Sequence, residues 1–238
     1  VPLTFPSHAA LPLPLKLWRP RWFDGVALTV GAASPDLAYA LDGSGLPVFP
    51  LSHQWPGVVL FCLPVTLVGA LLVRRAAAVV AAHLPRRPAV LALHDYGVLG
   101  TTRPALVVTV GSALLAAASH LVWDQLTGPL PVLDYASSAG GALAALALAV
   151  HVGRHRLLRA WHGAPPDRPV RPGLFWSVAG TVTAACAVVA AQLPGAFLPH
   201  TTGARLLLGL ALGLGAAAAA TALVPSRPSA VDPAPAID

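Results

Sequence analysis

Two side chains that could share a cation stand four residues apart near the end of a long apolar run. They are His120 and Asp124, in PALVVTVGSALLAAASHLVWDQLT, residues 104–127. That spacing puts both on one face of a helix. Trp123, between them, suits a membrane interface. A carboxylate in a last helical turn faces the negative end of the helix dipole. A cation shared with His120 would relieve that conflict; a hydrogen-bonded His–Asp pair at the membrane surface is the other reading.

Further acids and histidines stand upstream and downstream. Asp36 follows Ser34-Pro35 inside the apolar segment 26–41, where a carboxylate is costly and faces a cavity or a partner. Ser-Pro-Asp is also ordinary turn chemistry, with Asp36 as a cap. Ser52 and His53 close a Gly/Pro-rich loop, residues 42–55, and Ser52 is a candidate helix cap. Asp134 and Tyr135 stand in a second loop, residues 125–135. His8 lies near the start of a proline-broken piece, residues 1–25, where a histidine is ordinarily a surface or capping residue.

The elements that must position these residues are apolar helices. Of 238 residues, 56% are hydrophobic and 10% charged, against roughly 25% charged in soluble domains. Mean hydropathy is +0.70. The expected fold is all-α: a polytopic transmembrane helical bundle with about six membrane segments. Residues 1–224 read as a single integral-membrane domain. The Pro/Ala-rich tail, residues 225–238, reads as disordered. The N-terminal piece is too short to span and reads as half-inserted or interfacial. It has no clean apolar core, so no cleavable signal peptide is expected.

The net charge of +6 does not point to nucleic acid, because the arginines lie in loops that flank membrane segments. Ala, Gly, Pro and Arg dominate, which suits a high-GC bacterial genome. Val1 in a chain without Met reads as a GTG start, so the chain is expected to be complete. Cys62 and Cys186 fall within apolar runs and read as two buried free thiols.

Basic residues alternate by loop. The N-terminal piece, residues 74–103 and residues 153–172 carry them; residues 42–55, 125–135 and 194–203 have none. The positive-inside rule then puts the C-terminus in the cytoplasm of a bacterial cell and the non-basic loops outside. Arg74 and Arg75 should close the span over residues 56–73. His83, His94, His151, His155 and His162 read as solvated in or beside the basic loops. His200 is in an external loop without a local acidic neighbour. Asp36, His53, His120, Asp124 and Asp134 all fall at external segment ends, so acids and histidines from several segments converge on one membrane level.

Imidazole and carboxylate donors without thiolates suit zinc, manganese or ferrous iron. No G-x-S-x-G elbow, phosphate-binding glycine loop or zincin His-Glu pair is present. The ordered set LTFPSHAALPLPLK, GAASPDLAYAL, LSHQWPGVVLFCLP, SHLVWDQLTG and VLDYASSAGG resembles domain-of-unknown-function family 4184 of bacterial membrane proteins. The resemblance covers roughly residues 2–150.

More distantly, the arrangement is similar to membrane-bound metal-dependent hydrolase-like proteins. That resemblance implies His8, Asp36, His53, His120 and Asp124 as metal ligands. Asp134, Tyr135 and Ser52 would be supporting or substrate-facing groups. The implied cofactor is a divalent metal, zinc or manganese, and the implied substrate a lipid or envelope precursor. Two departures stand out: Phe61-Cys62-Leu63-Pro64 replaces Phe-Asp-Leu-Pro, and Asp134 stands where Gln is frequent. The alternatives are a non-enzymatic transporter-like or scaffolding protein with a structural Asp/His network, and bis-histidine haem ligation.

Overall fold

The computed structural model describes residues 7–224, so the tail at 225–238 lies outside the described residues. The described chain is all-helical. A 3-10 turn (His8–Ala10) leads into α1 (Leu13–Trp18) and α2 (Gly25–Leu37). A second 3-10 turn (Ala38–Leu41) and α3 (Val48–Ser52) follow. Then come α4 (Trp55–Gly57), a π turn (Val58–Cys62) and α5 (Leu63–His83) as one continuous helix. After 3-10 turns at Ala89–Leu91 and Leu93–Gly100 come α6 (Leu106–Thr127), α7 (Pro131–Arg154), α8 (Leu157–His162), α9 (Pro172–Gln192) and α10 (Pro199–Leu223).

Five helices are long and apolar enough to cross a membrane: Trp55–His83, α6, α7, α9 and α10. The sixth expected segment, residues 26–41, is instead the 13-residue α2 continued by a 3-10 turn. Proline explains its break. Pro35 has no N–H to donate to Gly31 O, and Ser34 Oγ donates to that carbonyl at 2.7 Å instead. Pro64 acts similarly on the long helix. It cannot donate four residues back, and the ladder slips so that Leu63 N–H donates to Val58 O. Arg74 and Arg75 do not close this helix, which runs on to His83.

The core of the site-bearing half is the crossing of α2 and α6. Gly31 permits it: a Cβ there would stand 2.9 Å from Ala113 O and 3.1 Å from Ala116 Cβ. Ala9, Leu28, Ala32 and Ala116 form one apolar cluster at this crossing. Val58, Cys62, Ala117 and Leu121 form the next. The two helices run parallel, since Asp24 meets Thr109 and Ser112 at one end and Asp36 meets His120 at the other. At ~1.5 Å per residue the two levels are about 18 Å apart along α2.

The first level is an ion-pair lock. Asp24 caps α2 through Val26 N–H and Ala27 N–H, and accepts from Arg74 and Thr109 Oγ1. Arg74 is thus a buried partner rather than a loop charge. Lys16 also differs from expectation: it is buried, with Nζ donating to Pro20 O at 2.6 Å and Phe23 O at 2.9 Å. His83 is buried too. Its Nε2 accepts from Arg171 N–H at 2.9 Å, and its ring stacks on Phe175 at 4.2 Å. Cys62 and Cys186 are both free thiols; Cys62 is buried and Cys186 only half-buried.

A second lock ties the 3-10 turn Leu93–Gly100 to α8. Asp95 is buried and accepts from Arg156 at 2.9 Å and Arg159 at 2.6 Å. Burial opposes its ionisation, but the two guanidinium hydrogen bonds outweigh that and hold the carboxyl below its ordinary value. The lock therefore stabilises fully above the unfolded carboxylate pKa of about 3.9, and is lost as pH falls through the lower folded value. Asp95→Asn should cost about 1.5–3 kcal/mol at neutral pH. It should also flatten the fall in melting temperature below about pH 4. Melting curves of detergent-solubilised protein against pH measure both effects.

Candidate metal centre

The C-terminal ends of three elements and one N-terminal turn bring five of the expected side chains together. Asp36 comes from the last turn of α2 and His53 from the residue after α3. His120 and Asp124 come from the last turns of α6, and His8 from the first 3-10 turn. Two groups of three form around a shared His120: His8, His120 and Asp124; and Asp36, His53 and His120. Within each, the ligand atoms lie within 4.8 Å of one another.

The separations are consistent across the cluster. His120 Nε2 is 3.2 Å from Asp124 Oδ2 and 3.6 Å from Asp36 Oδ1. His53 Nε2 is 3.5 Å from Asp36 Oδ1 and 3.7 Å from Asp124 Oδ2. His8 Nε2 is 3.5 Å from Asp124 Oδ1. The His8 and His120 rings stack at 3.8 Å. Most of these distances exceed the usual hydrogen-bond range of about 2.7–3.2 Å. They match the roughly 3.3–3.6 Å that separates ligand atoms bonded at about 2.0–2.2 Å in a tetrahedral site.

The backbone fixes which ring nitrogen faces inward. His120 Nδ1 is 2.7 Å from Ala32 O. A carbonyl only accepts, so Nδ1 carries a proton; in the neutral ring Nε2 then presents its lone pair to the cluster. Nε2 is buried and has no hydrogen-bond partner among the described residues; the same holds for both ring nitrogens of His8. His53 is oriented similarly. Ser52 Oγ donates to Phe49 O at 2.9 Å and can then accept from His53 Nδ1–H, 2.9 Å away, freeing Nε2. Ser52 thus orients His53 and does not cap the following helix, whose cap position is Gln54.

Charge balance points the same way. Asp36 is buried, Asp124 is 38% exposed, and the ion pairs given above join both to histidine. With the three imidazoles neutral, the two carboxylates would bring negative charge into an apolar setting, which is costly unless compensated. One divalent cation would balance them. The exposed edges of Asp124 and His53 leave the cluster open on one side.

Asp134 and Tyr135 occupy the first turn of α7. Asp134 lies close enough to Asp124 for their charges to interact, and Tyr135 is 67% exposed. Neither belongs to the two ligand groups. Cys62 packs behind the site, with Sγ 3.6 Å from Ser52 O, among Val58, Ala117 and Leu121.

The model of a domain of unknown function, DUF4184, matches residues 1–130. The chain belongs to that family. No curated protein and no solved structure matches it. The DUF4184 match is shorter than the expected 2–150, yet it contains all five clustered residues. Asp134, Tyr135 and helices α7 to α10 lie beyond it.

Two groups beside the DUF4184 site were not evident from the sequence. The carbonyl of Ala32 sets the His120 tautomer, and no residue-type signal could mark it. Tyr39 stacks with Phe49 at 4.6 Å and meets His53 at 5.7 Å and His200 at 4.5 Å. His200 does have an acidic neighbour, Asp42 at 4.0 Å, but one far away in sequence. Arg205 of α10 is buried and donates to Ala40 O and Asp42 O.

Proposed function

We propose that this DUF4184 protein binds one divalent cation, zinc or manganese, through His8, Asp36, His53, His120 and Asp124. The reading continues to a metal-dependent hydrolase of the bacterial cell membrane, acting on a lipid or an envelope precursor. The observation that carries it is His120: Nδ1 is held by Ala32 O, while a buried, unpartnered Nε2 faces two carboxylates. A bound divalent ion supplies Lewis acidity toward a phosphoryl or carbonyl oxygen and a nucleophile from water at neutral pH. The protein's own groups do the rest. Ala32 O and Ser52 orient two imidazoles, as outer partners of metal ligands do. Asp124, the most exposed carboxylate of the set, is placed to take a proton from an incoming group. The cluster lies at the end of the bundle away from the basic loops, which the positive-inside rule puts outside, with the C-terminus in the cytoplasm.

The alternative is a structural network in which His120 is an imidazolium paired with Asp36 and Asp124. Asp124→Asn separates the two. It keeps size and hydrogen-bonding capacity but removes a charge. With a metal centre, affinity for zinc or manganese should fall about 10–100-fold, and the metal-induced rise in melting temperature should shrink with it. In a metal-free network, neither wild type nor variant responds to metal. Asp124→Asn then loses one ion pair to the imidazolium and should melt no higher than wild type, with or without metal. For the hydrolase step, metal-stripped protein should lose turnover of phosphate and carboxylate esters presented in micelles, and regain it with zinc or manganese. Turnover indifferent to stripping would remove that step.

A further inference from the structure

A second feature lies at the opposite, basic end of the bundle. A cavity of about 910 Å³ opens between α1, α2, α6 and α7, near the upper limit of about 1,000 Å³ for ligand pockets. Its walls are apolar faces: Val26 and Val30 of α2, Val108 of α6, and Leu148, Ala149 and Val152 of α7. It exists because α7 stands off from its neighbours; only 6% of its apolar window is buried.

An apolar gap at membrane depth does not hold water well, because water there lacks polar partners. Left empty, its walls forfeit dispersion contacts. Acyl chains fill such a gap. The headgroup end is marked by charge. Lys16, Arg21 and Arg103 line the same cavity, whereas its acid, Asp24, is already paired with Arg74. Trp18 and Trp22, 68% and 74% exposed, flank the arginine side as interfacial aromatics do.

We infer that this cavity is a binding site for an anionic phospholipid, its acyl chains between α2, α6 and α7 and its phosphate against Arg21 and Arg103. Basic pockets between transmembrane helices hold anionic headgroups in this manner. The site lies about 18 Å from the His/Asp cluster along α2 and does not depend on a metal there.

The test uses full-length protein in nanodiscs of equal phosphatidylglycerol and phosphatidylcholine with identical chains. Protein is re-extracted in detergent and the lipid it retains is quantified. Retained phosphatidylglycerol should exceed phosphatidylcholine at least fivefold. Each of Arg21→Ala and Arg103→Ala should lower the preference about fivefold, the effect of one basic residue at an anionic surface. Ala149→Trp, which fills the apolar part and leaves both arginines, should reduce retention of either lipid. Arg86→Ala and Arg168→Ala, basic residues off the cavity, should change nothing. Equal retention of the two lipids by wild type would overturn the inference. So would a preference that survives loss of both arginines in a variant with unchanged melting temperature. Displacement of the lipid by millimolar glycerol phosphate, which has no chains, would also overturn it, as a soluble-anion site.

Discussion

His120→Ala should abolish retention of a divalent cation. His120 belongs to both ligand groups, so its loss leaves neither complete. Outer-partner losses alone cost about 10–100-fold in metal affinity, and removing a shared ligand should exceed the top of that range. The protein should still insert, because alanine is easier to place in an apolar helix than imidazole. Elemental analysis of wild type and variant, purified side by side, gives the ratio. Equal metal in both would place any bound ion elsewhere.

Arg74→Ala should produce the largest loss of stability. Asp24 is 3% exposed and takes charge-assisted hydrogen bonding from Arg74 at the α2–α5–α6 junction. Breaking a buried pair by removing one partner costs about 3–5 kcal/mol, because the other charge stays buried. For a chain of this size that lowers the melting temperature by roughly 6–20 °C. Asp24→Asn in the same chain should restore much of the loss, since an amide still caps α2 and carries no charge. A melting temperature for Arg74→Ala within a degree of wild type would show that the pair contributes nothing.

The apolar helices were legible because membrane-spanning runs are long and nearly uncharged. The line between a full span and the shorter α2 was not, since α2 passes Pro35 and changes to a 3-10 turn only at Ala38. For the candidate site, legibility tracked sequence distance. His120 and Asp124 share a helix face by spacing alone, and Asp36 stands out as an acid in apolar surroundings; His53, at the end of a Gly/Pro-rich loop, gains meaning only beside the others. His8 rested on resemblance to a family, because nothing local distinguishes it. Charges are harder. Arg74 reads as a loop charge and Arg205 has no local signal, yet each finds its partner through tertiary packing. Arg74 meets Asp24 fifty positions away, and Arg205 meets Ala40 at a separation of 165. A loop count of basic residues treats every arginine as solvated, so it cannot separate an orienting charge from a buried one.

X-ray absorption at the metal edge of membrane-extracted wild-type protein tests the central claim most directly. The account predicts about one zinc or manganese per chain, with a first shell of nitrogen and oxygen only, at roughly 2.0–2.2 Å. Imidazole scattering should be present and sulfur absent, since Cys62 stands outside both ligand groups. A first shell containing sulfur at about 2.3 Å, or protein free of metal that melts no higher when zinc or manganese is added, would contradict it.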